Sequence, residues 1–328
     1  MYAEVLQAGV DLRLRAIASS RRMALEDTAM DPASAAARLR ADDAQACDLD
    51  AFAAHVRAGH LPHAMIVDCS ASDAVAAKYA DWLAAGIHVV TPNKHAGSGD
   101  WARYTAITEA RREGSSRFLY EATVGAGLPV VLTLRNLIDT GDTLHAIDGM
   151  LSGTLAWLFN SFDGRRPFSE LVREARALGY TEPDPRLDLS GEDVRRKLLI
   201  LARSSGLALD ASQVQVDSLV PETLAALPLE GAVAALEQLD APLQARWQQA
   251  RKNGRVLRFV GRVDGEGAQV GLRELPADHP LAQGAGTDNR VAIHSDRYRR
   301  QPLLIQGPGA GAEVTAAALL DDVLRIVG

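Results

Sequence analysis

Cysteine is nearly absent: Cys47 and Cys69 are the only two in 328 residues. Two are too few for a disulfide framework, and the expectation is a reducing, cytoplasmic setting. Basic charge is also short. A net charge of -7 leaves no footprint for nucleic acid or an anionic membrane. No uninterrupted apolar stretch reaches the length of a bilayer span. The opening MYAEVLQAGVDLRLRA lacks the basic, apolar, small-residue order of a secretory signal. The eight histidines are scattered. His60 and His63 are three apart, but Pro62 spoils a shared helical face, so no metal-ligand cluster emerges. What remains is an ordinary globular composition, 47% hydrophobic and 23% charged, long enough for two domains.

The first half alternates. LRLRAIAS (12–19) is β-like, and DAQACDLDAFAAHVRAG (43–59) reads as a helix ending at Gly59. AMIVDCS (64–70) is a short apolar run of the kind buried on both faces of a parallel sheet. A helical pattern over 73–86, a strand over 87–93, a helix over 101–114 and a strand over 117–124 follow. This spacing predicts βαβ units around a parallel sheet, with ligands beyond the carboxyl ends of the strands. Cys69-Ser70, Thr91 to Lys94 and Glu121 to Gly127 fall at such ends.

A dinucleotide-binding domain opens with a strand and a G-x-G-x-x-G turn. Here AEVLQAGVDL reads as the tail of the helix after such a turn. About 15 residues, one strand and its glycine turn, are therefore expected to be missing before Met1, at a cost in cofactor affinity. At the other end, LLIQGPGAGAEVTAAALLDDVLRIV carries Gly307, Gly309 and Gly311 between a strand and a helix. That pattern suits a tight turn or a cofactor contact equally. After what would be the second strand of such a domain, Ser19, Ser20, Arg21 and Arg22 offer no acid. An acid there selects NAD and an arginine accommodates a 2′-phosphate, so NADP(H) is expected over NAD(H).

From about Leu128 helices and consecutive strands suggest a mixed sheet with helices on one face. In between lies GYTEPDPRLDLSGEDVRRK, Gly179 to Lys197, dense in charge between two apolar helical patterns. Ser190 is a good N-cap, with Asp193 in a capping-box position. Asp193 and Lys197 are four apart and share a helical face with Ile200, Leu201 and Ser204. Lys197 is thus predicted at the apolar side, where a desolvated lysine can trade protons. A plain helix salt bridge fits the pair as well.

The charged stretch closely resembles the signature of homoserine dehydrogenases. The likeness extends through VDCSAS, VVTPNKHA, FLYEATVGAGLPV, GMLSGTLAWLF and QGPGAGAEVTAA, nearly the whole chain. It looks most like the dehydrogenase half of bifunctional aspartate kinase–homoserine dehydrogenases. The resemblance implies NAD(P)H-dependent reduction of L-aspartate 4-semialdehyde to L-homoserine, serving threonine, methionine and isoleucine biosynthesis. It implies Lys197 as acid/base with Asp193 beside it, and Glu182, Asp188 and Lys94 at the substrate. It implies Ser70, Lys94 and Gly309 at the cofactor; Arg21 joins them from the phosphate argument above. It further implies a sodium-type monovalent cation on main-chain carbonyls of Glu121, Val124, Ala126 and Leu128.

The expected fold is α/β. A Rossmann-like parallel-sheet cofactor domain spans 1–127, with first strand and glycine loop missing. An α+β substrate and dimerisation domain with a mixed sheet spans 128–302, and 303–328 returns to the cofactor domain. A small-molecule substrate and a homodimer are expected, with no nucleic acid or membrane partner. Two rivals stay open: a cofactor-deficient dimerising fragment, and an aspartate-semialdehyde dehydrogenase with Cys69 as nucleophile, which needs an activating base.

Overall fold

The computed structural model describes residues 9–57 and 62–328. Gly59, His60 and the opening residues up to Ala8 lie outside them. The chain divides into two units. One comprises Met1–Ala96, Thr105–Leu119 and Leu319–Gly328, and the other Gly97–Tyr104 and Tyr120–Ala318.

In the first unit, β1 (Ala16–Ala18) pairs antiparallel with β2 (Arg22–Leu25), which pairs antiparallel with β3 (Gln45–Ala46). The stretch 12–19 was expected in a parallel sheet and instead belongs to this small antiparallel one. The reason is local. Ser19 closes a turn, its Oγ accepting from the Arg22 amide at 3.1 Å and its own amide donating to Arg22 O at 2.8 Å. Side-chain closure of this kind reverses the chain at once. Asp48 then caps α1 (Leu49–Val56), its carboxylate accepting from Asp50 and Ala51 amides, so the helix starts later than the composition suggests.

The parallel sheet is present as β4 (Ala64–Val67), β5 (Ile87–Val90) and β6 (Phe118–Leu119), in that order. Ala64 lies opposite Ile87 and Val89 opposite Phe118. Every residue of the central β5 is buried, as its unbroken apolar run requires. The predicted helix over 73–86 is two, α2 (Asp73–Ala76) and α3 (Tyr79–Ala84). Before β6 comes α4 (Trp101–Glu113).

The second unit starts its helices with α5 (Val130–Asp139) and its sheet with β7 (Leu144–Met150). There follow α6 (Gly153–Ser161), α7 (Phe168–Ala177), α8 (Pro185–Leu189) and α9 (Glu192–Ser204). The sheet is completed by β8 (Val214–Val216), β9 (Arg255–Asp264), β10 (Gly267–Pro276), β11 (Asp288–Ser295) and β12 (Leu303–Pro308). Before β9 lies α10 (Asp240–Lys252), and after β12 comes α11 (Ala312–Val327), of which the residues from Leu319 on belong to the first unit. Strand order is β12-β11-β7-β9-β10-β8. Only β8 and β10 run parallel, so the sheet is mixed.

Helices cover both faces rather than the one expected. A Cβ on Gly261 would lie 3.2 Å from Val194 Cγ1 of α9. Val260, pointing the other way by strand alternation, clusters with Ala156 of α6, Met150, Leu281 and Ala292. Gly261 therefore sets how closely α9 approaches the sheet. Gly261→Val forces three carbons into that contact and should lower stability by about 1–3 kcal/mol. Urea unfolding checks this as a lower midpoint at unchanged m; an unchanged midpoint would refute the close approach.

Candidate active site

Gly179 (φ 74) ends α7 in the left-handed conformation that glycine tolerates best. Asp184 caps α8, accepting from the Arg186 amide at 3.0 Å, with Pro185 in the first turn. Ser190, the expected cap of the next helix, closes α8 instead, donating from Oγ to Leu187 O at 2.8 Å. The N-cap of α9 is Gly191 (φ 78). A Cβ there would meet Phe259 Cζ at 2.8 Å, so glycine answers both the backbone angle and the packing.

From that start, α9 sets Asp193 and Lys197 one turn apart. Lys197 Nζ lies 2.8 Å from Asp193 Oδ2 and donates to the Leu151 carbonyl at 2.7 Å. Lys197 is 8% exposed, whereas the Asp193 side chain is 45% exposed. The ammonium is thus fixed by two oxygens in a nearly dry position, and the carboxylate keeps access to solvent. Ile200 and Leu201 are buried as expected, and Ser204 is half-buried with its Oγ 2.9 Å from the Tyr120 hydroxyl.

Asp188 joins the first turn of α6 to the charged loop. Thr154 Oγ1 donates to its Oδ1 at 2.8 Å, and the Glu182 amide donates to its Oδ2 at 2.8 Å. The same hydroxyl also lies within hydrogen-bond reach of Tyr180 O, so its one proton is shared between the two acceptors. Burial raises the Asp188 pKa, the two donors oppose the rise, and the Glu182 and Asp193 charges add to it. Glu182 itself is exposed, its backbone fixed by Asp188. A groove of about 470 Å³ is lined by Arg173, Arg176, Thr181 and Glu182 among others, but not by Lys197 or Asp193.

The far end of α9 is clasped by Arg203. Its guanidinium donates to Gly97 O at 2.9 Å, Gly99 O at 2.8 Å and Leu209 O at 3.0 Å, and lies over Trp101 and Tyr104.

In the first unit, the ends of β4 and β5 are tied by a buried network that the sequence reading did not single out. Asp68 accepts from the Ser70 amide at 2.8 Å, Asn93 Nδ2 at 3.0 Å and the Tyr79 hydroxyl. Thr91 Oγ1 donates to Asp68 O at 2.8 Å and accepts from the Asn93 amide at 2.9 Å. The Tyr79 pKa is driven far upward by burial and then by the Asp68 charge, so it remains a donor. This network fixes the turns that carry Ser70 and Lys94. Thr91 and Asn93 lay within the strand end picked out beforehand; Tyr79 carried no local signal.

Arg22 is committed to structure, donating to Ala41 O at 2.8 Å and Ala44 O at 3.2 Å, while Arg21 is exposed at the β1–β2 turn. Both Glu121 carboxylate oxygens are spent on the amides of Val131 (2.9 Å) and Leu132 (2.7 Å) at the start of α5. Gly125 (φ 80) and Ala126 (φ 53) are consecutive left-handed residues that turn the chain between Glu121 and Leu128. Protein packed around the Cys69 sulfur, and then Asp68, push its thiol pKa up, although the residue keeps an exposed surface. That is the opposite of an activated nucleophile.

A family model described as "Homoserine dehydrogenase" matches residues 129–324, and that of its NAD binding domain matches 2–121. The chain is 47% identical over 324 residues to bifunctional aspartokinase/homoserine dehydrogenase 1, chloroplastic, of Zea mays, covering 97% of this chain and 35% of that one. It is 41% identical over 291 residues to homoserine dehydrogenase of Schizosaccharomyces pombe, covering 86% of this chain and 77% of that one. A solved putative homoserine dehydrogenase of Archaeoglobus fulgidus superposes with a TM-score of 0.75 at 25% identity, covering 99% of this chain and 94% of that one. A solved Candida auris protein of unknown function superposes at 0.88 and 38%, covering 94% and 88%. The chain thus spans about a third of the length of the plant relatives it matches, 35%. Matched along both units and carrying a lysine–aspartate pair on a buried helix, the chain belongs to the homoserine dehydrogenase family.

Proposed function

We propose that the protein reduces L-aspartate 4-semialdehyde to L-homoserine with a nicotinamide cofactor, and catalyses the reverse. The observation that carries this is the Lys197 ammonium, almost withdrawn from water yet held by Asp193 and the Leu151 carbonyl. Reduction of a carbonyl builds negative charge on oxygen. A positioned ammonium stabilises that charge and delivers a proton to it. Lys197 therefore holds the proton at Nζ, and Asp193 orients the group and stays near the reacting oxygen. The substrate is a zwitterion. Glu182 is the anion for its ammonium, Asp188 holds the Glu182 loop and the pocket wall, and Lys94 lies by the substrate and cofactor.

The residues present fit a nicotinamide cofactor. The strand-end turns with Ser70 and Lys94 are braced by buried Asp68 and Asn93, and the Gly307–Gly311 turn offers uncovered backbone. When bound, the cofactor supplies or accepts the hydride. Ser70, Lys94, Arg21 and Gly309 are the residues proposed to hold it. Archaeal homoserine dehydrogenase structures have been solved in complex with NADPH, which is compatible with the preference we propose for NADP(H). Main-chain carbonyls of Glu121, Val124, Ala126 and Leu128 are proposed to hold a monovalent cation. The Glu121 carboxylate is engaged elsewhere, so carbonyls are what that turn has to offer. A cytoplasmic homodimer in the threonine, methionine and isoleucine routes completes the proposal. The free thiols suit a reducing compartment, and among the described residues no helix is long and apolar enough to cross a membrane.

Lys197→Ala should lower turnover on the order of 10²–10⁴-fold while NADPH binding stays near wild type. Stopped-flow NADPH oxidation with aspartate semialdehyde, beside a fluorescence titration, measures both; near-normal turnover removes Lys197 from the chemistry. Arg21→Ala should reduce the NADPH over NADH ratio of kcat/KM by about tenfold, as for one lost charge-assisted hydrogen bond. Arg22→Ala serves as the control, since that guanidinium is already bonded to carbonyls. A ratio unmoved by Arg21→Ala assigns phosphate selection to other residues.

A further inference from the structure

The most telling polar group outside the charged motif lies beneath the C-terminal glycine turn. Asn289 on β11 pairs with Gly307 on β12, two residues before Gly309. Its side chain is 0% exposed. A Cβ on Gly309 would fall 2.0 Å from Asn289 Cγ, 2.1 Å from Nδ2 and 2.4 Å from Oδ1. The backbone of Gly309 thus lies directly on the carboxamide, and any residue but glycine would collide with it. Yet neither Oδ1 nor Nδ2 has a hydrogen-bond partner among the described residues.

A buried amide lacking both kinds of bond destabilises the fold that contains it. Such a group calls for a specific explanation. An apolar side chain of similar size, such as leucine, would fill the space without that cost. The segment above it, Gly307-Pro308-Gly309-Ala310-Gly311, has three residues that can change backbone angles at low cost. Turning a peptide plane there brings an N–H toward Oδ1 or a carbonyl toward Nδ2.

We infer that Asn289 is a positioning residue for the cofactor, acting through the glycine turn. The Gly307–Gly311 peptide groups bond to its carboxamide when the turn closes over the nicotinamide cofactor. This rests on the proposal that Gly309 contacts that cofactor, and adds a residue that never touches it. Part of the binding free energy then comes from satisfying an amide inside the protein, so polarity at position 289 trades intrinsic stability for affinity.

The test is Asn289→Leu on the whole chain. A structural asparagine predicts loss of stability with affinity unchanged or following it. The inference predicts opposite movements: Tm without cofactor rises by about 1–3 °C, while NADPH affinity falls by about tenfold, near 1.4 kcal/mol. A second readout uses the wild type. Its Asn289 side-chain amide resonance, assigned by its loss in the variant, should shift and exchange more slowly when NADPH is added. Equal NADPH affinity in variant and wild type, a lowered Tm, or an unmoved resonance overturns the inference. Failure of the wild-type chain to bind NADPH overturns the cofactor proposal itself, and is read before any variant is made.

Discussion

An ammonium that is nearly out of water needs oxygen around it, and the second unit is arranged to supply that for Lys197. Two oxygens come from different places. Asp193 belongs to the same helix, so its distance follows from helical geometry. The Leu151 carbonyl comes from the turn after β7, 46 residues earlier, so its distance depends on how deeply α9 is seated. Seating depth is set by what is missing as much as by what is present: Gly191 lets Phe259 come close, and Gly261 lets Val194 do so. Arg203 fixes the other end of the same helix with three backbone carbonyls. Loosening any of these contacts would leave the lysine with a charge and one partner fewer.

The first unit solves a comparable problem with the opposite charge. Asp68 is buried with no cation bonded to it among the described residues, and its carboxylate is accommodated by an amide, a hydroxyl and a carboxamide. Charge-assisted hydrogen bonds of this kind are stronger than neutral ones. They hold two strand-end turns at once, which a purely apolar contact could not orient. Rigid turns at the carboxyl ends of β4 and β5 are what a ligand site on a parallel sheet needs. In each unit, then, a buried charge is bonded to segments distant in sequence and fixes them together.

Local signals in the sequence reached some of this and not the rest. The Asp193–Lys197 pair was legible because four residues on a helix is a short-range fact, and burial of Ile200 and Leu201 followed from the same periodicity. The strands at 64–67 and 87–90 were legible because a run buried on both faces is apolar throughout. The antiparallel return of β1 was missed because one serine hydroxyl decided it. Helices on both faces were missed because period-2 alternation in β9 does not say what covers either face. Tyr79 meets Asp68 across 11 residues and Asn93 meets it across 25, and neither partner announces the other in sequence. The cap at Gly191 was misassigned to Ser190 because a hydroxyl is the commoner solution, whereas a packing demand from Phe259 favoured a residue with none.

The strand order of the second unit also governs its assembly in time. β7 sits in the middle of the sheet, between β11 and β9. Its Asp148 meets Arg262 of β9 across 114 residues and His294 of β11 across 146. During synthesis the central strand therefore leaves the ribosome with neither neighbour yet made. At typical elongation rates the wait is on the order of ten seconds, far longer than a hairpin takes to close. Through that interval β7 exposes two unpaired edges and the apolar Ile147 and Met150. The nascent chain would then depend on chaperones, or on early cover from α5 and α6, to keep its future sheet centre from pairing with a neighbour on the same polysome.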